Sequence, residues 1–276
     1  MKSFNESVAA ITGAGSGIGQ ALALNLAAQG AHLAISDINQ AGLDATLDLL
    51  KDSGVKVTSQ ILDVSKKEDV AAWAQKVQAD HGKVNLIFNN AGVALGATVE
   101  GATYEEYEWM MSINFWGVVY GTKEFLPLIK QAGQGCVINI SSIFGITAQP
   151  SQSAYNAAKF AVRGFTESLR QELDIQGGNV TALCVHPGGI KTNIANSARQ
   201  SDSLKSLGLD PKKGTEKFNK MLRKPPSEAA SDILDAVKKN KRRVLVGNDA
   251  KAMDALQRIL PTGYQRIFSK AIKMAK

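Results

Sequence analysis
Three side chains near the middle of the 276-residue chain have the types and spacing for proton chemistry. Tyr155 and Lys159 stand four apart in Ser153-Ala154-Tyr155-Asn156-Ala157-Ala158-Lys159, the start of a helical pattern continuing through Phe165, Leu169 and Leu173. That spacing puts both on one helix face, one turn apart. A phenol titrates near pH ~10, too high for efficient acid–base work at neutrality, and a neighbouring ammonium stabilises the phenolate and lowers that value. Such pairs are common on solvated helices, so the weight falls on Ser142. It lies 13 residues before Tyr155, just past the apolar run Cys136 to Ile140. Parallel α/β sheets bind ligands outside the carboxyl ends of their strands, where a serine hydroxyl can donate to a substrate oxygen. Ser141 is the competing candidate, because strand alternation turns only one of the pair toward a cleft.

A second constellation suits a dinucleotide. Thr12-Gly13-Ala14-Gly15-Ser16-Gly17-Ile18-Gly19 follows an apolar run and opens a helical pattern. Glycine lets backbone N–H groups approach a pyrophosphate, and a helix N-terminus favours its charge. Asp37 ends the next apolar run, 18 residues after Gly19. An acidic side chain there accepts from a ribose 2′-OH and repels a 2′-phosphate. Ile38 follows it and Ser16 leaves the turn without a basic residue, so NAD(H) is expected over NADP(H).

The elements that must position these groups follow from the pattern of apolar runs. Strands are expected at Val8 to Thr12, His32 to Ser36, Val57 to Leu62, Leu86 to Phe88, Cys136 to Ile140, Val180 to Val185 and Arg243 to Val246. Most are continuously apolar, as strands covered on both faces are, and helix-length segments separate them. Ser65-Lys66-Lys67-Glu68 and Thr103-Tyr104-Glu105-Glu106 read as capping boxes, and Gly177-Gly178 as a helix stop. The alternation predicts an α/β, Rossmann-type, doubly wound three-layer fold on a mainly parallel seven-stranded sheet. Residues 1–250 form its single domain, with a mobile polar insertion over about 193–227 closed by Pro225-Pro226.

Composition narrows the function classes. The chain is 44% hydrophobic and 21% charged, enough for a sizeable core, and no apolar run approaches a membrane span. Cys136 and Cys184 lie in apolar strands, which suits reduced thiols in the cytoplasm. Three histidines with no ligand spacing leave no metal site; His186 reads as structural. The net charge of +7 is uneven: residues 1–200 hold 14 basic and 17 acidic side chains, residues 201–276 hold 18 and 8. The final 251–276 therefore form a basic, amphipathic extension. It packs on the body or a neighbouring subunit, or lies on an anionic membrane surface. No nucleic-acid module accompanies the charge.

Taken in order, Thr12 to Gly19, Asp37, Asp63-Val64, Asn89-Asn90-Ala91-Gly92, Asn114, Ser142, Tyr155, Lys159 and Pro187-Gly188 with Thr192 resemble the short-chain dehydrogenase/reductase family in its single-domain form. The resemblance spans Val8 to about Gly247. It implies that Asp63 and Val64 hold the adenine and that Asn90 sits by the cofactor ribose and supports the central strand; Asn89 itself reads as only a turn neighbour. Ala91 and Gly92 complete that edge, and Ile190 and Thr192 meet the nicotinamide carboxamide. Lys159 would bind the nicotinamide ribose, and Asn114 would hold a water in a proton relay through it. The implied enzyme uses Tyr155 as general acid/base on a secondary alcohol or ketone and assembles as a homodimer or homotetramer. Val93, Ala94, Leu95, Ile143, Phe144, Gln149 and the segment after Ile190 are the expected cleft residues. They are mostly apolar and include no arginine, which favours a hydrophobic substrate. The alternatives are an NADPH-dependent 3-oxoacyl-thioester reductase and a non-catalytic dinucleotide-binding sensor.

Overall fold
A computed structural model describes residues 1–210, 215–216, 219–220 and 222–274. The parts of the expected insertion at 211–214, 217–218 and 221, and the last two residues of the extension, lie outside them. All seven expected strands form: β1 (Val8–Thr12), β2 (His32–Asp37), β3 (Val57–Ile61), β4 (Leu86–Asn89), β6 (Gln134–Ile140), β7 (Asn179–Pro187) and β9 (Arg243–Val246). They build one sheet in the order β3-β2-β1-β4-β6-β7-β9, every pairing parallel. The order reverses between β1 and β4, and that switch point opens a crevice at the strands' carboxyl ends.

Strand alternation feeds two cores. Ala9 and Ile11 of β1 and Leu183 and Val185 of β7 face one side, with Leu22 and Leu26 of α1 (Gly17–Ala27), Leu43 and Leu50 of α2 (Gln40–Leu50), and Ile233 and Leu234 of α7 (Pro226–Lys238). Val8, Ala10 and Ala182 face the other. There they meet Val70 and Trp73 of α3 (Lys67–His81), Phe125 and Ile129 of α5 (Gly117–Gln131), and Leu169 and Leu173 of α6 (Ser153–Gln176). Apolar side chains on both faces explain why the strand sequences run apolar without a gap.

Local signals fared unevenly. Thr103 caps α4 (Tyr104–Met111) in a complete box, its hydroxyl accepting from Glu106 N–H at 3.2 Å while Glu106 accepts from Thr103 N–H at 3.0 Å. Gly177 ends α6 at φ +73°. The Ser65 box does not form: α3 begins at Lys67 after Lys66, and Ser65 turns back to Asp63, donating its N–H at 2.9 Å and its hydroxyl at 2.7 Å. The carboxylate two residues upstream captures the cap.

Two short strands, β5 (Leu95–Gly96) and β8 (Arg199–Gln200), pair in parallel outside the main sheet. They tie the insertion to the loop after β4, with Thr98 N–H reaching Ser203 Oγ at 3.1 Å. The chain ends in α8 (Asn248–Ile259) and α9 (Gly263–Met274), so α8 begins inside the expected domain and runs across residue 250. Tyr264 of α9 is buried and its hydroxyl accepts from Ala148 N–H at 3.2 Å, which seats the extension on the body. No helix among the described residues is long and apolar enough to cross a membrane, and none of their His, Cys, Asp or Glu side chains gather in threes that could hold a metal.

Candidate active site
β6 ends at Ile140, and the chain breaks into a short 3-10 turn over Ile143–Gly145 with Ser142 as its cap. Ser142 Oγ accepts from Phe144 N–H at 3.1 Å, and its hydroxyl lies near enough to the Tyr155 phenol to pull its pKa down. Ser141 points away and donates its hydroxyl to the Lys159 carbonyl at 2.8 Å. Tyr155 and Lys159 share the buried face of α6. Lys159 Nζ donates to the Ile140 carbonyl at 3.0 Å and lies 5.7 Å from the Tyr155 ring centroid. The Phe144 ring meets the Tyr155 ring edge-on at 6.1 Å.

Burial dominates the electrostatics of this cluster. Desolvation pushes the Tyr155 phenol up to about 12, against the pull of the Ser142 hydrogen bond. Desolvation also brings the Lys159 ammonium down to about 8. Spacing alone argues for a lowered phenol; in the protein the cost of burying its charge dominates. Lys159 nevertheless stays mostly charged at neutrality.

Asn114 is wholly buried in a π turn, Ser112–Trp116, that interrupts the passage from α4 to α5. Gly117 N–H there reaches back to the Ser112 carbonyl, and such turns frequently mark functional sites. The Asn114 amide pairs with the Val93 backbone, accepting at 2.8 Å and donating at 2.8 Å, and also donates to Met110 Sδ. Its side chain is therefore committed to positioning the loop after β4. Gly92 lies between it and Lys159; a Cβ there would sit 3.1 Å from Asn114 Oδ1 and 3.5 Å from Lys159 Nζ.

Along the same sheet edge, the turn after β1 has the donor set a pyrophosphate needs. Gly13 and Gly17 take φ of +65° and +56°, open to glycine with little strain. A Cβ at Gly19 would overlap the Gly13 carbonyl oxygen. Ser16 caps α1 without a side-chain bond and no acidic residue enters its first turn, so the leading N–H groups of α1, from Gly17 and Ile18 onward, remain suited to an anion. Asp37 sits beside this turn, accepting from Gly15 N–H at 2.8 Å and Asn39 N–H at 2.9 Å. Asn90 donates to the carbonyls of Thr12 and Gly13 at 2.9 and 3.1 Å, and Thr12 Oγ1 takes the N–H groups of Asn90 and Ala91. Asp63 follows β3, and Val64 is buried against Gly117. Beyond β7, Gly188 N–H is held by the Val246 carbonyl, Ile190 is buried, and the Thr192 methyl packs over Gly17. This combination of glycine backbone, free helix N-terminus and fixed carboxylate fits a dinucleotide.

Four features escaped the sequence reading. Asn89 is no turn neighbour: it is buried on β4 and donates to Asn139 Oδ1 at 2.8 Å and Thr122 Oγ1 at 3.1 Å, joining β4, β6 and α5. Two asparagines inside apolar strands were the available signal. Asp249 accepts from Gly189 N–H at 2.5 Å and braces the loop after β7. Arg199 stacks on the Trp109 ring, 3.7 Å from its centroid, placing an arginine at the rim of the expected cleft. Finally, a 210 Å³ cavity lies between Ala148, Gln149 and Pro150 and the α9 residues Gln265 and Phe268. The packing around Tyr155 is apolar: Leu95, Ala97, Met110 and Ala154 form a buried cluster with it, with Val93, Ala94 and Phe144 packed alongside.

A family profile described as short chain dehydrogenase matches residues 7–203. The candidate oxidoreductase SadH of Mycobacterium tuberculosis is 47% identical over 273 residues, 99% of this chain and 97% of its own length. Levodione reductase of Leifsonia aquatica is 34% identical over 219 residues, 78% of this chain and 79% of that protein. A solved short chain dehydrogenase/reductase of Burkholderia phymatum, in complex with NAD, aligns with a TM-score of 0.87 at 28% identity over 95% of this chain and 96% of its own.

Proposed function
This chain belongs to the short-chain dehydrogenase/reductase family, and on that premise we propose that it is an NAD(H)-dependent oxidoreductase interconverting a hydrophobic secondary alcohol and its ketone. The observation that carries the reading is the convergence of Ser142, Tyr155 and Lys159 amid apolar packing, on the same sheet edge as the glycine turn and Asp37. When bound, NAD(H) supplies or accepts the hydride exchanged at the carbinol carbon. Gly13, Ser16, Gly17, Ile18 and Gly19 would hold its pyrophosphate, Asp37 its adenosine ribose, and Asp63 and Val64 its adenine. Asn90, Ala91, Gly92, Tyr155 and Lys159 would border the nicotinamide ribose, and Pro187, Gly188, Ile190 and Thr192 the carboxamide.

Tyr155 moves the proton. In ketone reduction the phenol donates to the oxygen as negative charge develops there; in alcohol oxidation the phenolate takes the hydroxyl proton. A phenol held near 12 keeps its proton for the first role, and a Lys159 ammonium 5.7 Å from the ring would lower the cost of the phenolate in the second. Ser142 donates to the same oxygen, a contribution on the order of 10²–10³ in rate. The relay to solvent runs past Gly92 to Asn114. That side chain is itself taken up by the Val93 backbone.

Asp37 supports NAD(H): its backbone bonds fix a negative charge where a 2′-phosphate would stand. The apolar packing around Tyr155 supports a lipophilic ketone. The Tyr264 contact favours an extension that packs on the body over one that lies on a membrane. The test is to follow oxidation of NADH and NADPH with levodione, 2-decanone and an acetoacetyl thioester. Faster turnover of a free ketone with NADH is expected. Faster turnover of the thioester with NADPH would favour the acyl-thioester reductase instead.

A further inference from the structure
Behind Ser142 lies a buried pair that the proton chemistry does not use. His186, wholly buried on β7, places Nδ1 2.9 Å from the Ser142 carbonyl oxygen and Nε2 3.3 Å from Cys184 Sγ. A carbonyl only accepts, so Nδ1 carries the hydrogen; Nε2 is then an acceptor, and the Cys184 thiol is the donor that fills it. The state is self-consistent. Burial holds the imidazole down to about 4 and the thiol up to about 12, so both stay neutral across the working range. Arg243, Arg163 and Glu167 are the charged groups felt at the imidazole, and their effects rank below its desolvation.

This pair controls a particular peptide. Ser141 is anchored by its N–H to the Val185 carbonyl at 2.8 Å and by its hydroxyl to Lys159. The next carbonyl, that of Ser142, takes the Gly145 N–H at 2.9 Å from within its own turn. Its bond to His186 is the one that ties it to the sheet. That peptide sets the direction of the Ser142 hydroxyl.

We infer that His186, held in its Nδ1–H tautomer by Cys184, is a positioning residue that fixes the Ser142 peptide so that the serine hydroxyl meets the Tyr155 phenol. The inference rests on the proposed role of Ser142 at the substrate oxygen. A 1 Å misplacement of a reacting group can cost about 10²-fold in rate, so a loose Ser142 would be felt in turnover.

Two side chains separate positioning from packing. His186→Asn keeps an N–H near the Nδ1 position, whereas His186→Gln places its amide near Nε2, toward Cys184. With levodione as probe and NADH saturating, His186→Asn is expected to keep kcat within about threefold of wild type, and His186→Gln to lower it by about tenfold to a hundredfold with KM little changed. In a Ser142→Ala background His186→Gln should cost nothing further, because its effect passes through that hydroxyl. Crystal structures of the two variants should show Ser142 displaced only in His186→Gln. Equal losses in both variants, or a full His186→Gln penalty without the Ser142 hydroxyl, would overturn the inference. Should Ser142→Ala and Tyr155→Phe both turn over like wild type, the functional reading fails. The crystallographic position of Ser142 then decides the positioning claim by itself.

Discussion

At the carboxyl ends of β1 and β2 the protein keeps a charge. Asp37 is half-buried, and two backbone N–H groups pin its carboxylate beside the glycine turn. At the ends of β6 and β7 it suppresses charge. Tyr155 and Cys184 are pushed up and Lys159 and His186 pushed down, each toward its neutral form and each chiefly by burial. On the proposed function, the difference separates recognition from chemistry. A fixed carboxylate and backbone donors select a partner by complementarity and need not titrate. A proton-transfer pair works from a neutral phenol whose charged form is costly, so that its charge appears when a reacting oxygen and a compensating ammonium share it.

The largest expected break lies on the chemical side. Tyr155→Phe should reduce turnover by about 10²–10⁴-fold while leaving NADH affinity within a few-fold, as read by initial rates and a fluorescence titration. Equal losses in both would move Tyr155 from chemistry to binding. The recognition side should break differently. Asp37→Ser removes the repelling charge and should shift the ratio of NADH to NADPH kcat/KM toward NADPH by about 10- to 100-fold, with the ketone KM nearly unchanged. A ratio that stays put would show that Asp37 serves only the turn.

The pH profile sharpens the contrast. Lys159 titrates near 8, below the ordinary lysine range, and Tyr155 near 12. As pH rises, Lys159 loses its proton first. In reduction the donating phenol becomes a phenolate that the Lys159 ammonium steadies, so ketone-reduction kcat/KM should fall about tenfold per pH unit above roughly 8. A profile flat to pH 10 would mean that the ammonium is not needed. The smallest effect belongs to neither region: Thr103→Ala removes the α4 cap and should cost about 1 kcal/mol in denaturant unfolding, with kcat unchanged.

The two regions were also unequally legible in the sequence. The recognition side is built from backbone, and glycines, a strand-ending Asp37 and continuously apolar strands announce backbone geometry directly. The residues of the chemical side were visible too, since Tyr155, Lys159 and Ser142 stand out by type and spacing. Their energetics were not, because burial is a property of the packed molecule: the phenol moved up where spacing alone argued down. Ser65 looked like a cap until Asp63 captured it, and Asn89 looked like a turn residue until Asn139 arrived from 50 positions away. The β5–β8 pairing spans two residues per strand, below any periodic signal, yet it fastens the insertion beside the cleft. The tie from Tyr264 to Ala148 crosses 116 positions and could be seen only once both were placed.

The most direct test of the account is transfer of deuteride from NADH deuterated at the nicotinamide C4 to a ketone such as levodione, by wild type and by Tyr155→Phe. Mass spectrometry would read the label in the alcohol. The account predicts one deuterium on the carbinol carbon with wild type and almost none with Tyr155→Phe under the same conditions. Equal labelled product from both proteins would contradict Tyr155 as the proton donor.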